Sequence, residues 1–147
     1  MTTIIRAAQS KDLSEMETFL GQAGVSAKGL EEQIDHFIVM EDLDGKMLGT
    51  LGIQRMGCDG LLRSLVISPR TDQTNILDMF QQILKLARDK EISRLYLATN
   101  KRVSVEFFTL LGFVRKEITD VPHHILTAEH VEESLKVEDA LIMEFTF

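Results

Sequence analysis

The chain has 147 residues, 44% hydrophobic and 27% charged, which supplies a sizeable core for one domain, residues 1–147, and leaves little room for a second. Its 16 basic and 23 acidic residues give a formal net charge of -7. That balance argues against non-specific binding to nucleic acid or to an anionic membrane, since both require clustered Lys and Arg.

The N-terminal segment MTTIIRAAQS enters a strand pattern at once and has no apolar stretch of signal-peptide type. No apolar run approaches a membrane span, so the expected compartment is the cytosol. Thr3 to Ala8 reads as the first strand. Ser10 offers an N-cap to a helix carrying Leu13, Met16, Phe19 and Leu20 at helical spacing, ended by Gly21 and Gly24. Leu30, Ile34 and Phe37 suggest a second short helix over Gly29 to His36. Phe37 to Met40 and Met47 to Gln54 flank an Asp-Gly turn and predict a β-hairpin.

Gly57 to Gly60 is a further turn and contains Cys58, the single cysteine. One cysteine excludes an intrachain disulfide and gives no support to a Cys/His metal cluster, so no metal site is expected. Cys58 itself reads as an incidental thiol. Leu61 to Ser68 is a strongly apolar strand, and Pro69 to Asp72 continue into a loop. From Thr74 the period becomes helical, with Ile76, Phe80, Ile83, Leu84 and Ala87 on one face. Ile92 to Thr99 is a strand, and strand–helix–strand implies a parallel βαβ unit. Arg102 to Leu111 is a helix stopped by Gly112, and Phe113 to Ile118 a strand. Pro122 to Leu135 is read as one helix, and Ala140 to Phe147 as a closing strand. The fold class expected from the pattern is α+β, with a mixed, mostly antiparallel sheet around a central βαβ unit.

Several segments in this order resemble the GNAT superfamily, whose members usually move an acetyl group from acetyl-CoA to an amine. They are the hairpin VMEDLDGKMLGTLGI, the strand LLRSLVISP, the amphipathic helix to Ala87 with RLYLATN after it, and VEFFTLLGF. A narrower resemblance, carried by GLEEQIDHFIVMED, GLLRSLVIS, EFFTLLGF and VPHHILTAEH, is to the arsenic-resistance-associated N-acetyltransferase-like branch, thought to act on small amino-acid-like amines.

The resemblance implies a GNAT-type acyl-CoA N-acyltransferase fold and an acetyl-CoA site between the strands Leu61–Ser68 and Arg94–Thr99. Leu65, Val66 and Ile67 would offer backbone groups to the pantetheine. Thr71, Asp72, Gln73, Thr74, Asn75 and Ile76 would form the pyrophosphate loop at a helix N-terminus, where free N–H groups and the helix dipole favour an anion. Asn100 would touch the pantetheine or, read structurally, cap the helix from Arg102. Phe108 would stand at the family's tyrosine position.

The family loop has an Arg or Gln, two residues, then Gly-x-Gly or Gly-x-Ala. Here it reads PRTDQTNIL, with no glycine, β-branched residues where the backbone should approach the pyrophosphate, and Asp72 beside an anion. Arg70 is the only basic residue near it. Phe108 cannot donate a proton, and the carboxylate base often found on the central strand would fall near Leu61. No catalytic residue is therefore assigned; placing amine and thioester together, with water relaying protons, would carry the reaction. The alternative is a GNAT-fold ligand-binding or regulatory protein without transferase activity.

Of the remaining polar residues, Ser64 faces either cleft or core. His123 and His124 read as a surface turn beside Pro122, His36 and His130 as solvated or structural, and Glu129, Glu132 and Glu133 as the wet face of a helix. Met16, Met40, Met47, Met56 and Met79 read as core filling. The apolar last strand, ALIMEFTF, if at a sheet edge, would invite pairing with a second copy, so a homodimer is expected. Its Leu141, Met143, Phe145 and Phe147 would cover the core.

Overall fold

The computed structural model describes residues 3–147; Met1 and Thr2, which open the segment read above as no signal peptide, lie outside the described residues. Strands follow the order β1-β2-β3-β4-β5-β7-β6, a seven-stranded, mixed and mostly antiparallel sheet. The chain divides into two compact units, Met1–Gln54 with Leu62–Lys90, and Arg55–Leu61 with Glu91–Phe147.

In the first unit, β1 (Thr3–Ala7) pairs antiparallel with β2 (Phe37–Asp42), and β2 with β3 (Met47–Met56). The predicted hairpin is present, and its turn shows why: Gly45 takes φ +82, and the Asp42 carboxylate accepts from the N–H groups of Asp44 and Lys46. β2 is apolar on both faces because both are covered. Phe37 and Val39 join a cluster with Met16 and Leu20 of α1 (Leu13–Gln22). Met40 and Met79 of α2 (Gln73–Asp89) meet over Gly49.

Three local expectations change here. Gly29 to His36 is not a helix: Gly29 is left-handed at φ +80, turns come after it, and only Ile34–His36 forms a 3-10 turn. The buried Leu30 pins this segment to the α1 cluster. Ser10 is not the N-cap. Ser10–Asp12 is a 3-10 turn after Gln9, whose N–H donates to the Asp12 carboxylate at 2.8 Å. Gly21 lies inside α1 rather than ending it.

In the second unit, the first residues of β4 (Asp59–Ile67) pair parallel with β5 (Arg94–Thr99) through Asp59↔Arg94, Gly60↔Leu95 and Leu61↔Tyr96. β5 pairs antiparallel with β7 (Leu141–Thr146), and β7 with β6 (Val114–Lys116). β7 is thus paired on both sides and is no edge, which removes the basis given above for a dimer through it. The core face expected of it is only one of two: Met143 on that face is buried, and so is Ile142 on the other. Ile142 is buried with Tyr96, Val121, Ile125 and Val131, whereas Phe147 is exposed. The alternation cannot tell the faces apart, because helices cover the side that Ile142 occupies and an aromatic row takes the other. That row runs Phe108–Phe113–Phe145–Phe147 at centroid separations of 5.5, 5.3 and 4.8 Å.

α3 (Arg102–Leu111) ends as expected at Gly112, left-handed at φ +109 and packed against the Phe145 ring. The segment read as one helix is two, α4 (His123–Leu126) and α5 (Glu129–Leu135). Between them the Thr127 hydroxyl bonds back to the His123 carbonyl and Ala128 turns extended, burying its methyl in the Tyr96 cluster. Among the described residues no helix is long and apolar enough to cross a membrane.

Candidate functional site

The residues named for a coenzyme fall in both units. In the first, β4 changes character at Ser64. Up to that point its side chains are largely buried: Leu61 is 0% and Leu62 6% exposed. Ser64 itself is buried and left-handed at φ +57, an uncommon conformation for a residue with a Cβ. Two contacts hold it there: its carbonyl accepts from the Thr50 hydroxyl at 2.8 Å, and its Oγ from Nε of Arg63 at 3.1 Å. A left-handed residue inside a strand re-aims the residues after it. Leu65 is 43% exposed, and Val66 and Ile67 are half-buried. Ser64, left open between cleft and core, is therefore a buried hinge of the strand.

The strand then turns into α2. The Ser68 N–H donates to the Leu48 carbonyl at 2.7 Å, and the Thr71 N–H closes a turn on the Ser68 carbonyl at 3.0 Å. Asp72 is the N-cap: its Oδ1 accepts from the Asn75 N–H at 3.1 Å. Gln73 and Thr74, both exposed, hold the first two N–H groups of the helix, which have no partner within it. Ile76 is half-buried, and the Asn75 carboxamide is turned aside, accepting from the Thr3 hydroxyl at 3.0 Å. A cavity of about 250 Å³ opens beside this turn, with Lys46, Arg70, Thr71 and Asp72 among its walls. Arg70 is thus not the only cation here: Lys46 reaches the same cavity from the hairpin, a neighbour that sequence spacing could not reveal. The Thr71 hydroxyl is buried with no hydrogen-bond partner among the described residues.

An acyl-CoA fits the backbone of this half better than its side chains. Leu65 comes to the surface while Val66 keeps its packing on the α1 cluster, free helix N–H groups follow at Gln73 and Thr74, and two cations border the cavity. Against this, Asp72 already places a carboxylate on the helix N-terminus, where a phosphate would otherwise collect the same donors and the same dipole.

In the second unit, β5 ends at Thr99, whose hydroxyl accepts from the Lys101 N–H at 3.2 Å. Lys101 is the N-cap residue of α3, so the reading of Asn100 as that cap is corrected; Asn100 is exposed. Phe108 is 7% exposed and edge-on to Phe107 and Phe113, a core ring.

The second unit also holds a polar group that sequence reasoning missed. Asp59, 3% exposed, pairs with Nε of Arg94 at 3.0 Å and with Nε2 of His124 at 2.8 Å. His124 is thus more than a surface turn; its ring is half-exposed, but it ties α4 to β4. These partners lie 65 positions apart, and no local pattern announces such a pair. Tyr96, the chain's single tyrosine, is fully buried nearby, its hydroxyl without a partner among the described residues. Burial, and after it the Glu144 carboxylate, push the phenol well above its ordinary range. The remaining expectations are placed more simply. Cys58 is exposed, the three glutamates of α5 are exposed, and Nδ1 of His36 lies 2.9 Å from Asp35.

This architecture is that of the GNAT acetyltransferases. The Neisseria gonorrhoeae N-acetylglutamate synthase, solved with coenzyme A and N-acetyl-glutamate, superposes with a TM-score of 0.76 at 22% identity, over 99% of this chain and 35% of that one. This chain thus spans about a third of that enzyme. Rv2747 from Mycobacterium tuberculosis, solved in a complex with CoA, gives 0.77 at 21% identity over 98% of this chain and 99% of that one. An acetyltransferase of the GNAT family from Staphylococcus aureus gives 0.70 at 16%, with 99% of both chains covered. No family model matches the sequence. By sequence the chain belongs to the family of the uncharacterized protein YwlB of Bacillus subtilis, with which it is 38% identical over 141 residues, 95% of each chain.

Proposed function

We propose that this chain moves an acetyl group from acetyl-CoA to the amine of a small, amino-acid-like acceptor. The observation that carries the reading is the left-handed Ser64, after which Leu65 comes to the surface just ahead of a helix N-terminus. The complexes of two structural neighbours, with coenzyme A and in one case an N-acetylated amino acid, support it. In the reaction the amine nitrogen attacks the thioester carbonyl, the C–S bond breaks, and the proton lost by the amine ends on the departing thiol. With Phe108 in the core and Tyr96 enclosed, no side chain is assigned to that proton. The proposal extends to the arsenic-resistance-associated branch as the nearest functional group, to residues 1–147 acting as one cytosolic domain, and to partners that include neither nucleic acid nor membrane.

Free thiol released from acetyl-CoA, followed across amino acids and polyamines, tests transfer. Coenzyme at about a hundredfold excess over its dissociation constant raises folding stability by about 2.7 kcal/mol and the melting temperature with it. Binding without turnover on any acceptor would overturn the transfer reading. A melting temperature indifferent to millimolar coenzyme would overturn both. A second reading, a GNAT-fold binder without transferase activity, is favoured by one observation: the Asp72 carboxylate caps the helix in place of an anion.

A further inference from the structure

The left-handed turn at Ser64 also decides where its neighbour Arg63 points. Side chains alternate along a regular strand, so Arg63 and Val66 would face opposite ways. Here both lie on the α1 cluster. Val66 packs against it, and the Arg63 guanidinium stands 6.0 Å from the ring centroid of Phe37, a member of that cluster. Its Nε donates to the Ser64 Oγ at 3.1 Å, and its Nη2 reaches the Ser26 carbonyl at 3.4 Å. Ser26 lies in the segment 24–29, which has a left-handed glycine at each end, Gly24 at φ +72 and Gly29 at φ +80. Val25 and Ala27 fix that segment to the α1 cluster. Gly29 comes close enough that an added Cβ would lie 3.5 Å from Nη1 of Arg63. The guanidinium is thus held at Nε, on a residue that is half-buried beside a pinned segment.

We propose, resting on the transfer reading above, that Arg63 binds the carboxylate of the acceptor, which is then a free amino acid rather than a simple amine or polyamine. Under that reading the phosphates sit at the N-terminus of α2 and the pantetheine lies along Leu65–Ile67. The thioester then falls at the Ser64 end of that track. The acceptor nitrogen must come within about 3–3.5 Å of the thioester carbon. Neighbouring Cα atoms are about 3.8 Å apart, so the Arg63 side chain springs from the next residue beyond that point. In an α-amino acid, amine and carboxylate are joined to one carbon. An amine delivered beside Ser64 therefore brings its carboxylate within the reach of the guanidinium. Nη1 and Nη2 offer the two parallel N–H groups that a carboxylate accepts. The Nη2 contact to Ser26, at 3.4 Å, is long for a hydrogen bond and is exchanged at little cost. Nε stays on Ser64, so the residue that turns the strand also orients the fork.

Paired acceptors test the assignment: the proteinogenic L-amino acids and their α-amides, which keep amine and side chain and lose the carboxylate charge. The ratio of kcat/KM for acid over amide is expected to fall by about tenfold or more in Arg63→Met, the loss of a charge-assisted pair. The fall should come mainly through the KM of the acid. Arg63→Lys keeps the charge without the fork and should recover part of the ratio. The rise in melting temperature that coenzyme A gives by itself should be the same in wild type and both variants, which checks that the fold and the coenzyme site are intact. If no acceptor turns over, the transfer reading fails, and binding decides the role of Arg63. Millimolar amino acid added to the protein with coenzyme A should then raise the melting temperature further in wild type and not in Arg63→Met. An acid-to-amide ratio unchanged by Arg63→Met, or a wild-type preference for polyamines, would overturn the proposal. Without turnover, an equal response of wild type and Arg63→Met to amino acids would do the same.

Discussion

Asp72 holds the N-terminus of α2 with its own carboxylate, and the consequence for an anionic ligand is electrostatic before it is steric. Thr74 is exposed and Ile76 half-buried, so neither stands wholly over the helix end, whereas the Asp72 charge lies on the donors themselves. Asp72→Asn keeps an acceptor of equal capping quality and removes the charge. Coenzyme A is then expected to bind about two- to fivefold more tightly, the range that one charge near a helix terminus commands. Asp72→Ala should cost about 1 kcal/mol of stability through the lost cap. Isothermal titration with coenzyme A checks the first effect and urea denaturation the second. Equal affinity in wild type and Asp72→Asn would mean that the phosphates bind away from α2.

At the level of the elements, glycines in the first unit separate packing from propensity. Gly52 stands opposite Phe37 in the β2–β3 register, and an added Cβ would fall within the Phe37 ring. Phe37 is itself 1% exposed, so the ring has nowhere to go, and Gly52→Ala should destabilise by about 1–3 kcal/mol. Gly21 sits on α1 with nothing within 4 Å of an added Cβ, and Gly21→Ala should stabilise by up to about 1 kcal/mol. Urea denaturation of the pair checks both signs; a neutral Gly52→Ala would mean that the ring is free to shift. The same contrast explains what the sequence could disclose. Elements with a strong period and a local stop signal, such as α3 with Gly112 or the hairpin with Asp42–Gly45, are legible because their causes lie within a few residues. The placement of β7 between β5 and β6, the break at Thr127, and the Asp59–His124 pair are set by distant neighbours. The left-handed Ser64 is of the same kind, because the hydroxyl that holds its carbonyl comes from Thr50 on another strand.

For the molecule as a whole, two carboxyls held low and one phenol pushed up define a pH window. The Arg6 guanidinium holds the Asp12 carboxyl below the usual range. Burial alone would raise Asp35, but Lys90 and His36 outweigh it and hold it low as well. Both carboxyls titrate near 3.9 in the unfolded chain. As pH falls below about 4 the unfolded chain takes up these protons first, so stability present above that pH is progressively lost. Tyr96 acts in the opposite sense: its phenol is pushed up, while the unfolded phenol titrates near 10. Above about pH 10 the unfolded chain releases this proton and the folded chain keeps it, so stability falls again on the alkaline side. The expected profile is a plateau with a loss at each end, measurable as the urea midpoint against pH. Asp12→Asn should cost about 1–3 kcal/mol at neutral pH and flatten the acid limb, because it removes a charge-assisted partner of Arg6. Tyr96→Phe should lose no stability at pH 7, because the hydroxyl it deletes has no partner among the described residues, and should flatten the alkaline limb. A loss above about 2 kcal/mol at pH 7 from Tyr96→Phe would instead require a hydrogen bond to that hydroxyl, since deleting an unpaired buried hydroxyl relieves a desolvation cost of about that size.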